Sequence, residues 1–196
     1  MPFVKRHPNT INNALISVER SRGEMPVMLI NGSPNHKLDG WCNWFQCIDS
    51  PPLPQNILAR AIALDTRGDT KQYITWRTNE AWDALFALKS FLKTKRKWLI
   101  FLQDDVEVID LYNIPDNDAT CLRVGNDYCG MVAYKLKRWV VEEFAKRIED
   151  HIIDTPIDWI LDQMRHELDI TLHRLGKVKH KGKISSNKQR RIVDGV

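Results

Sequence analysis

The sequence predicts an α/β protein built on a mixed, mostly parallel sheet flanked by helices, and three observations support this class. The run Trp98–Leu102 is a gapless apolar stretch of the kind that is buried on both faces of a sheet. A second such run, Pro26–Ile30, leads directly into dense turn residues. Segments with helical spacing alternate with these runs, which is typical of βαβ units. The chain of 196 residues fits a single domain that can bury a core.

In the N-terminal half, a short strand at 3–8 is predicted to precede a helix whose apolar positions recur with helical spacing from Ile11 to Val18. The segment 40–48 is predicted as another helix because its aromatic side chains share one helical face. The segment 55–64 fits either a helix or a strand. A short strand at 73–76 is then predicted, followed by a helix that Thr78 caps.

In the C-terminal half, that helix feeds into the apolar run 98–102 and then into an alternating Val106–Val108. Strands are predicted at 120–124 and 129–134, and a last strand at 170–175. A helix is predicted at 137–150. A further helix opens with a capping box in which Thr155 is the cap and Asp158 the acid at the third position.

Hydropathy and cysteine content narrow the class of protein. No apolar stretch approaches the roughly 20 residues that span a bilayer, and the first residues lack the apolar core of a signal peptide. The four cysteines include no Cys-x-x-Cys pair, so we expect reduced thiols rather than a zinc site. These features predict a soluble protein of the cytoplasm.

The positive charge is concentrated at the C-terminal end of the chain. Residues 176–196 contain five Lys, two Arg and one Asp and carry +6, whereas residues 1–175 carry −2, which gives the net +4. Such a segment suits a polyanion, which can be a nucleic acid, a diphosphate or an anionic membrane surface. A solvated basic terminus that serves solubility explains the same composition.

Asp104 and Asp105 are candidate ligand-binding residues because they follow the buried apolar run at its carboxyl end, where open α/β sheets bind ligands. Two adjacent carboxylates repel each other unless a cation lies between them. A divalent metal that bridges to a substrate diphosphate is the usual solution. A strand that ends in a solvated, turn-forming Asp pair explains these residues equally well.

Four segments, taken in order, resemble the GT-A nucleotide-sugar glycosyltransferases, and in detail the lipooligosaccharide glycosyltransferases and N-acetylglucosaminyltransferase IV. The segment 102–106 resembles the family's Leu-Glu-Asp-Asp-Val version of its Asp-x-Asp motif, with Gln103 in place of the usual Glu. The other three resembling segments are 76–79, 130–134 and 178–186.

The resemblance covers roughly residues 3 to 187. It implies a GT-A (Rossmann-like) domain over 1–187, followed by a basic tail at 188–196.

The resemblance further implies a divalent metal, Mn²⁺ or Mg²⁺, held by Asp105 and by His180. Imidazole nitrogen favours Mn²⁺ over Mg²⁺, although without the resemblance His180 is an ordinary surface histidine. It also implies contacts with a nucleotide sugar, preferably a UDP-sugar. The residues implied for these contacts are Arg6, Arg77, Asn79, Asp104, Lys181, Lys183 and Ser185. Pairing with a nearby acid is the alternative role for Arg77.

An inverting enzyme of this class also needs a general base that takes the proton of the acceptor hydroxyl. Asp158 is the first candidate because related enzymes carry a Pro-x-Asp segment near the acceptor. Helix capping explains Asp158 equally well. Asp127 is the second candidate.

The implied activity is transfer of a sugar from a nucleotide diphosphate to a hydroxyl group. The basic tail fits DNA as partner and a hydroxymethylated pyrimidine as acceptor, as in phage enzymes, which places the protein in a host cytoplasm. A saccharide or lipopolysaccharide acceptor is the alternative. A non-catalytic α/β protein that binds nucleic acid is the alternative of another class.

Overall fold

The computed structural model describes residues 8–32, 40–65, 67–125 and 129–181. Its helices are α1 (Pro8–Ser21), α2 (Gln55–Ala63), α3 (Lys71–Leu92), α4 (Arg138–His151) and α5 (Ile157–Glu167). Its strands are β1 (Met28–Asn31), β2 (Gln46–Asp49), β3 (Trp98–Leu102), β4 (Val106–Val108), β5 (Ala119–Arg123), β6 (Ala133–Lys137) and β7 (Leu172–His180). The predicted strand at 3–8, the domain boundary at 187 and the tail at 188–196 lie outside the described residues, except for Pro8, which begins α1.

The strands form two sheets, and the mixed α/β class is confirmed. β1 pairs with β2 in parallel, and the other five strands follow the order β3-β6-β5-β7-β4. Within the larger sheet only β5 and β7 pair in parallel. The expectation of a mostly parallel sheet is therefore wrong for the described strands. The connection from β5 to β6 is shorter than the roughly twelve residues that a parallel crossover needs.

The larger sheet is strongly curled. β3 and β4 lie at opposite ends of the strand order, although only Gln103, Asp104 and Asp105 separate them in the chain. The four peptide units between the two strands span at most about 14 Å, whereas four strand spacings in a flat sheet measure about 19 Å. The two edge strands must therefore approach each other. We call the region around this three-residue link the seam.

Two apolar clusters pack on the two faces of the sheet. The larger cluster joins the sheet to α3, α4 and α5 and contains fully buried Leu88, Phe144 and Met164. The smaller cluster joins β4, β5 and β7 to α1. Neighbouring residues of β5 show the division, since Cys121 belongs to the larger cluster and Leu122 to the smaller one. This alternation is what a strand covered on both faces requires.

Helix α3 begins well before Thr78, and residues 73–76 belong to it rather than to a strand. The Thr70 side chain caps the helix by accepting a hydrogen bond from the Tyr73 N–H at 3.2 Å. Thr78 lies buried in the middle, where its hydroxyl donates to the Ile74 carbonyl at 2.7 Å. The β-branched and aromatic residues that suggested a strand are helical because the buried face continues through them with helical spacing.

The segment 40–48 is not a helix. It forms a 3₁₀ turn at Trp41–Asn43 and then β2, and the Cys42–Cys47 disulfide joins the two. The Cα atoms of the bonded cysteines are 5.4 Å apart. In an α-helix the rise alone would separate such residues by about 7.5 Å, so the disulfide and the predicted helix exclude each other.

All four cysteines form disulfide bonds, which corrects the expectation of reduced thiols. Cys121 in β5 bonds to Cys129, which precedes β6, and both side chains are buried in the larger cluster. The antiparallel pairing of β5 and β6 brings these cysteines together. No spacing motif in the sequence indicates this disulfide bond. Among the described residues, no helix has both the length and the apolar character that crossing a membrane requires.

Replacing both Cys121 and Cys129 by Ala is expected to lower the free energy of unfolding by about 2–3 kcal/mol, because the closed loop no longer restricts the unfolded chain. The same change at Cys42 and Cys47, in a half-exposed turn with a shorter loop, should cost less. Urea unfolding of both variants measures the difference. Four titratable thiols in unfolded protein purified without reductant would contradict the pairing.

Candidate functional site

The two residues predicted to hold a metal lie side by side at the seam. Nε2 of His180 is 2.9 Å from Oδ2 of Asp105, although 75 positions separate the residues in the chain. Asp105 is only 3% exposed, whereas 28% of the His180 side chain reaches solvent. The carboxylate is thus set into the protein and the imidazole lies at its edge, where a ligand can reach it.

Backbone pairing brings these two side chains together. β4 pairs with β7 in antiparallel register, which places Val106 opposite His180. Beside this pair, the Lys181 N–H donates to the Asp105 carbonyl at 2.8 Å. The register between β5 and β7 shifts between Arg174 and Val178, and the residues from Val178 to His180 pair with β4.

The donor set of Asp105 and His180 fits a divalent cation. A carboxylate oxygen and an imidazole nitrogen are ligands that Mn²⁺ accepts. Adjacent ligands at about 2.1 Å from an octahedral ion lie about 3 Å apart, which is close to the 2.9 Å between Nε2 and Oδ2. In the part of the chain that is described, no three or more His, Cys, Asp or Glu side chains form a metal-binding group. Any ion here would complete its coordination with substrate oxygens and water.

Lys181, predicted to contact the diphosphate, lies next to this pair. Its Nζ is 2.5 Å from Oε2 of Glu107, and both side chains are about half exposed. The hydrogen bond from Lys181 lowers the pKa of the Glu107 carboxyl. Lys177 pairs in the same way with Asp110. Acids on and after β4 therefore balance part of the positive charge that the sequence concentrates after residue 175.

Gln103 and Asp104 line a cavity of about 1020 Å³ that extends between α1 and β1 on one side and α3 and β3 on the other. Most of its lining is apolar, but Glu80 and Asp83 of α3 also contribute. The Gln103 N–H donates to the Val132 carbonyl at 2.9 Å, and its side-chain Nε2 donates to Oε1 of Glu80 at 3.1 Å. Glu80 was not among the predicted site residues, because nothing in its spacing distinguishes it from other acids on helix surfaces.

Arg77 forms a buried ion pair and does not line the large cavity. Its Nη2 is 3.3 Å from Oδ1 of Asp65, and its Nη1 donates to the Asp154 carbonyl at 3.1 Å. Arg77 thus joins the segment between α2 and α3 to the segment between α4 and α5, which is the alternative role foreseen for it. Asn79 donates to the Thr75 carbonyl of its own helix at 2.7 Å and does not line the large cavity.

Asp158 lines a second cavity, of about 140 Å³, which shares no lining residue with the large one. Burial, and secondarily the nearby Asp162, raises the pKa of the Asp158 carboxyl. The predicted capping box is absent, because Pro156 occupies the N-cap of α5 and the Thr155 hydroxyl bonds to Asp154. The structure therefore does not bring Asp158 to the seam.

The remaining predicted site residues are Arg6, Asp127, Lys183 and Ser185, and they lie outside the described residues. The class that the fold and the site define is a mixed α/β protein with a carboxylate–imidazole pair at the seam of a curled sheet. Comparison with protein-family models, curated proteins and solved structures finds no match for this chain. The site residues themselves therefore carry the functional proposal.

Replacing Arg77 by Met is expected to lower the free energy of unfolding by about 3–5 kcal/mol, because Asp65 would keep a buried charge without its partner. Lys97→Met is the matched control, since the Lys97–Asp116 pair is well exposed and should matter little. Urea unfolding compares the two variants. Equal effects would show that burial does not strengthen the Arg77–Asp65 pair.

Replacing Asp158 by Asn is expected to stabilise the protein at neutral pH but not in acid. A carboxyl with a raised pKa favours the folded state at low pH, and that contribution is lost as the pH rises through the folded pKa. Asn stays neutral, so the advantage of the variant should appear above the folded pKa and vanish below the ordinary Asp value of about 3.9. Unfolding of both proteins across this pH range measures it, and a pH-independent difference would contradict it.

Proposed function

We propose that this protein is a metal-dependent glycosyltransferase that moves a sugar from a nucleotide diphosphate, in the first instance a UDP-sugar, to a hydroxyl acceptor. The observation that carries the proposal is the 2.9 Å approach of His180 to Asp105 across the seam. The sequence resemblance to GT-A enzymes, which singled out these two residues, also supports it. The proposal includes the GT-A fold. The pairing of the larger sheet is more antiparallel than that resemblance implies, so the weight rests on the site.

The leaving group of such a reaction is a nucleoside diphosphate, which gains negative charge as the bond to the sugar breaks. A bound Mn²⁺, or Mg²⁺ in its place, would neutralise this charge without a proton transfer. Asp105 would hold the ion with its carboxylate and His180 with Nε2 of the neutral imidazole. The backbone bond from Lys181 to the Asp105 carbonyl keeps these residues in register.

Other residues would contact the donor. We propose Asp104 for the ribose and Lys181 for the diphosphate, together with Arg6, Lys183 and Ser185. The exposed pair of Lys181 with Glu107 is of a weak kind, so Lys181 can exchange the carboxylate for a phosphate oxygen. Arg77 and Asn79 have structural partners at the positions where the structure places them.

For the general base, Asp158 and Asp127 remain the candidates. Burial raises the pKa of Asp158, which brings it nearer the range useful for proton transfer. Asp158 lines the smaller cavity, which shares no lining residue with the large one, so it can act as base only for an acceptor hydroxyl that reaches both that cavity and the donor sugar.

For the acceptor, we propose a hydroxymethylated pyrimidine in DNA, gripped through the basic tail, with a saccharide or lipopolysaccharide as the alternative. A transfer assay that offers both acceptors separates them. We propose the cytoplasm, or a host cytoplasm, as the location. Disulfide bonds are rare in that compartment, and the Cys42–Cys47 and Cys121–Cys129 bonds weigh against it. Alkylation of free thiols in intact cells, before lysis, tests this placement.

The alternative of another class is a nucleic-acid-binding protein in which the Asp pair is structural. The excess of Lys and Arg after residue 175 favours it. Such a protein would bind DNA or RNA with an affinity that falls steeply with salt. It would not respond to Mn²⁺ or nucleotide sugars.

The test is a thermal-shift screen of UDP-, GDP- and CMP-sugars with and without Mn²⁺. The donor should raise the melting temperature by several degrees only when Mn²⁺ is present, because a ligand that binds the folded state alone stabilises it. Asp105→Asn and His180→Ala should abolish this shift. Asp116→Asn, an exposed acid outside the site, is the matched control. A shift that survives in Asp105→Asn would overturn the proposal.

A further inference from the structure

A third carboxylate, besides those of Asp104 and Asp105, lies one hydrogen bond from the three-residue link, on a different element. Oε1 of Glu80, in α3, accepts the hydrogen bond from Nε2 of Gln103 at 3.1 Å. The backbone of Gln103 is fixed separately by the bond from its N–H to the Val132 carbonyl. Both side chains line the cavity that Asp104 also lines. The Gln103 amide is therefore held at its backbone and at its tip.

The chemistry of this bond fixes which way the amide faces. An ionised carboxylate only accepts hydrogen bonds, and an amide donates through its NH₂ and accepts through its oxygen. Glu80 therefore selects the orientation in which the NH₂ group of Gln103 faces α3. The amide oxygen Oε1 is turned away from Glu80 and accepts no hydrogen bond from any residue described. A fixed, accessible acceptor next to Asp104 is the result.

The pair also explains why Gln suits position 103. A Glu at that position would place two carboxylates about as close as Nε2 and Oε1 are now, 3.1 Å. Two carboxylates that share a site cannot both ionise without a large cost. One acid and one amide give the same contact without repulsion. The identities of residues 80 and 103 are therefore coupled.

We propose that Glu80 is a positioning residue for the donor sugar. It orients Gln103 so that the amide oxygen accepts a hydrogen bond from a hydroxyl group of the transferred sugar. This inference rests on the proposed function, since it concerns the same nucleotide-sugar site. It adds a requirement that the metal-binding pair does not impose: the pair of residues 80 and 103 acts on the sugar and leaves the nucleotide diphosphate untouched.

The test is a charge-exchange cycle in which the affinities for UDP and for UDP-glucose, UDP-galactose and UDP-N-acetylglucosamine are measured by calorimetry in Mn²⁺. Gln103→Glu should weaken the preferred UDP-sugar about tenfold, the size of one lost hydrogen bond, and leave UDP unchanged. The double variant Glu80→Gln/Gln103→Glu should recover most of this loss, because an amide again faces a carboxylate. Gln72→Glu, the same change at an exposed position of α3, is the matched control.

The single variant Glu80→Gln is expected to have a smaller effect on UDP-sugar affinity, since it keeps the hydrogen bond but permits either orientation of the Gln103 amide. It should weaken the UDP-sugar by less than Gln103→Glu does. Equal weakening of UDP and UDP-sugar, or a double variant that does not recover, would show that Glu80 and Gln103 are only a link between helix and strand. An unsubstituted protein that binds no UDP in Mn²⁺ would overturn the proposed function, and this inference with it.

Discussion

The three-residue link between β3 and β4 is the constraint on which the rest of the structure depends. It is too short to cross a flat sheet of five strands, so it forces the sheet to curl. Because β4 must then find a partner at the opposite edge, it pairs with the end of β7. That pairing brings a histidine from the end of the described chain against an aspartate from its middle. The candidate site is thus a product of chain connectivity.

Burial of Asp105 gives the site its electrostatic character. A carboxylate that is removed from water needs a hydrogen-bond donor or a cation close by. The His180 imidazole meets this need at 2.9 Å and remains partly exposed itself. An ion that binds there would take the place of the proton that Nε2 shares with Asp105, and the neutral imidazole would then carry its proton on Nδ1. The hydrogen bond between Gln103 and Glu80 likewise satisfies a carboxylate with a nearby donor, and it fixes the orientation of the amide.

The sequence identified the residues that meet at the seam, but it did not predict how the strands that carry them pair. A strand at 98–102 and the acids after it follow from hydropathy, but the prediction that this strand is buried on both faces is wrong, since all five of its residues are half-buried and line the large cavity at an edge of the sheet. His180 was identified only through the resemblance. Predictions from local hydropathy patterns were wrong where contacts between distant residues determine the secondary structure. The Cys42–Cys47 bond excludes the helix suggested by the aromatic residues of 40–48, and α3 extends through 73–76 because its buried face continues. Strand direction in the larger sheet depends on connections, which periodicity does not report.

The position of β7 in the chain has a consequence for biosynthesis. Until the ribosome has released residue 180, the nascent chain contains Asp105 but not its imidazole partner, and the edge of β4 has no strand beside it. The pair of Asp105 and His180 can therefore form only after β7 has been synthesised. A chain shortened within β7 would keep both aspartates and most of the larger apolar cluster, but β4 would lose the strand with which it pairs.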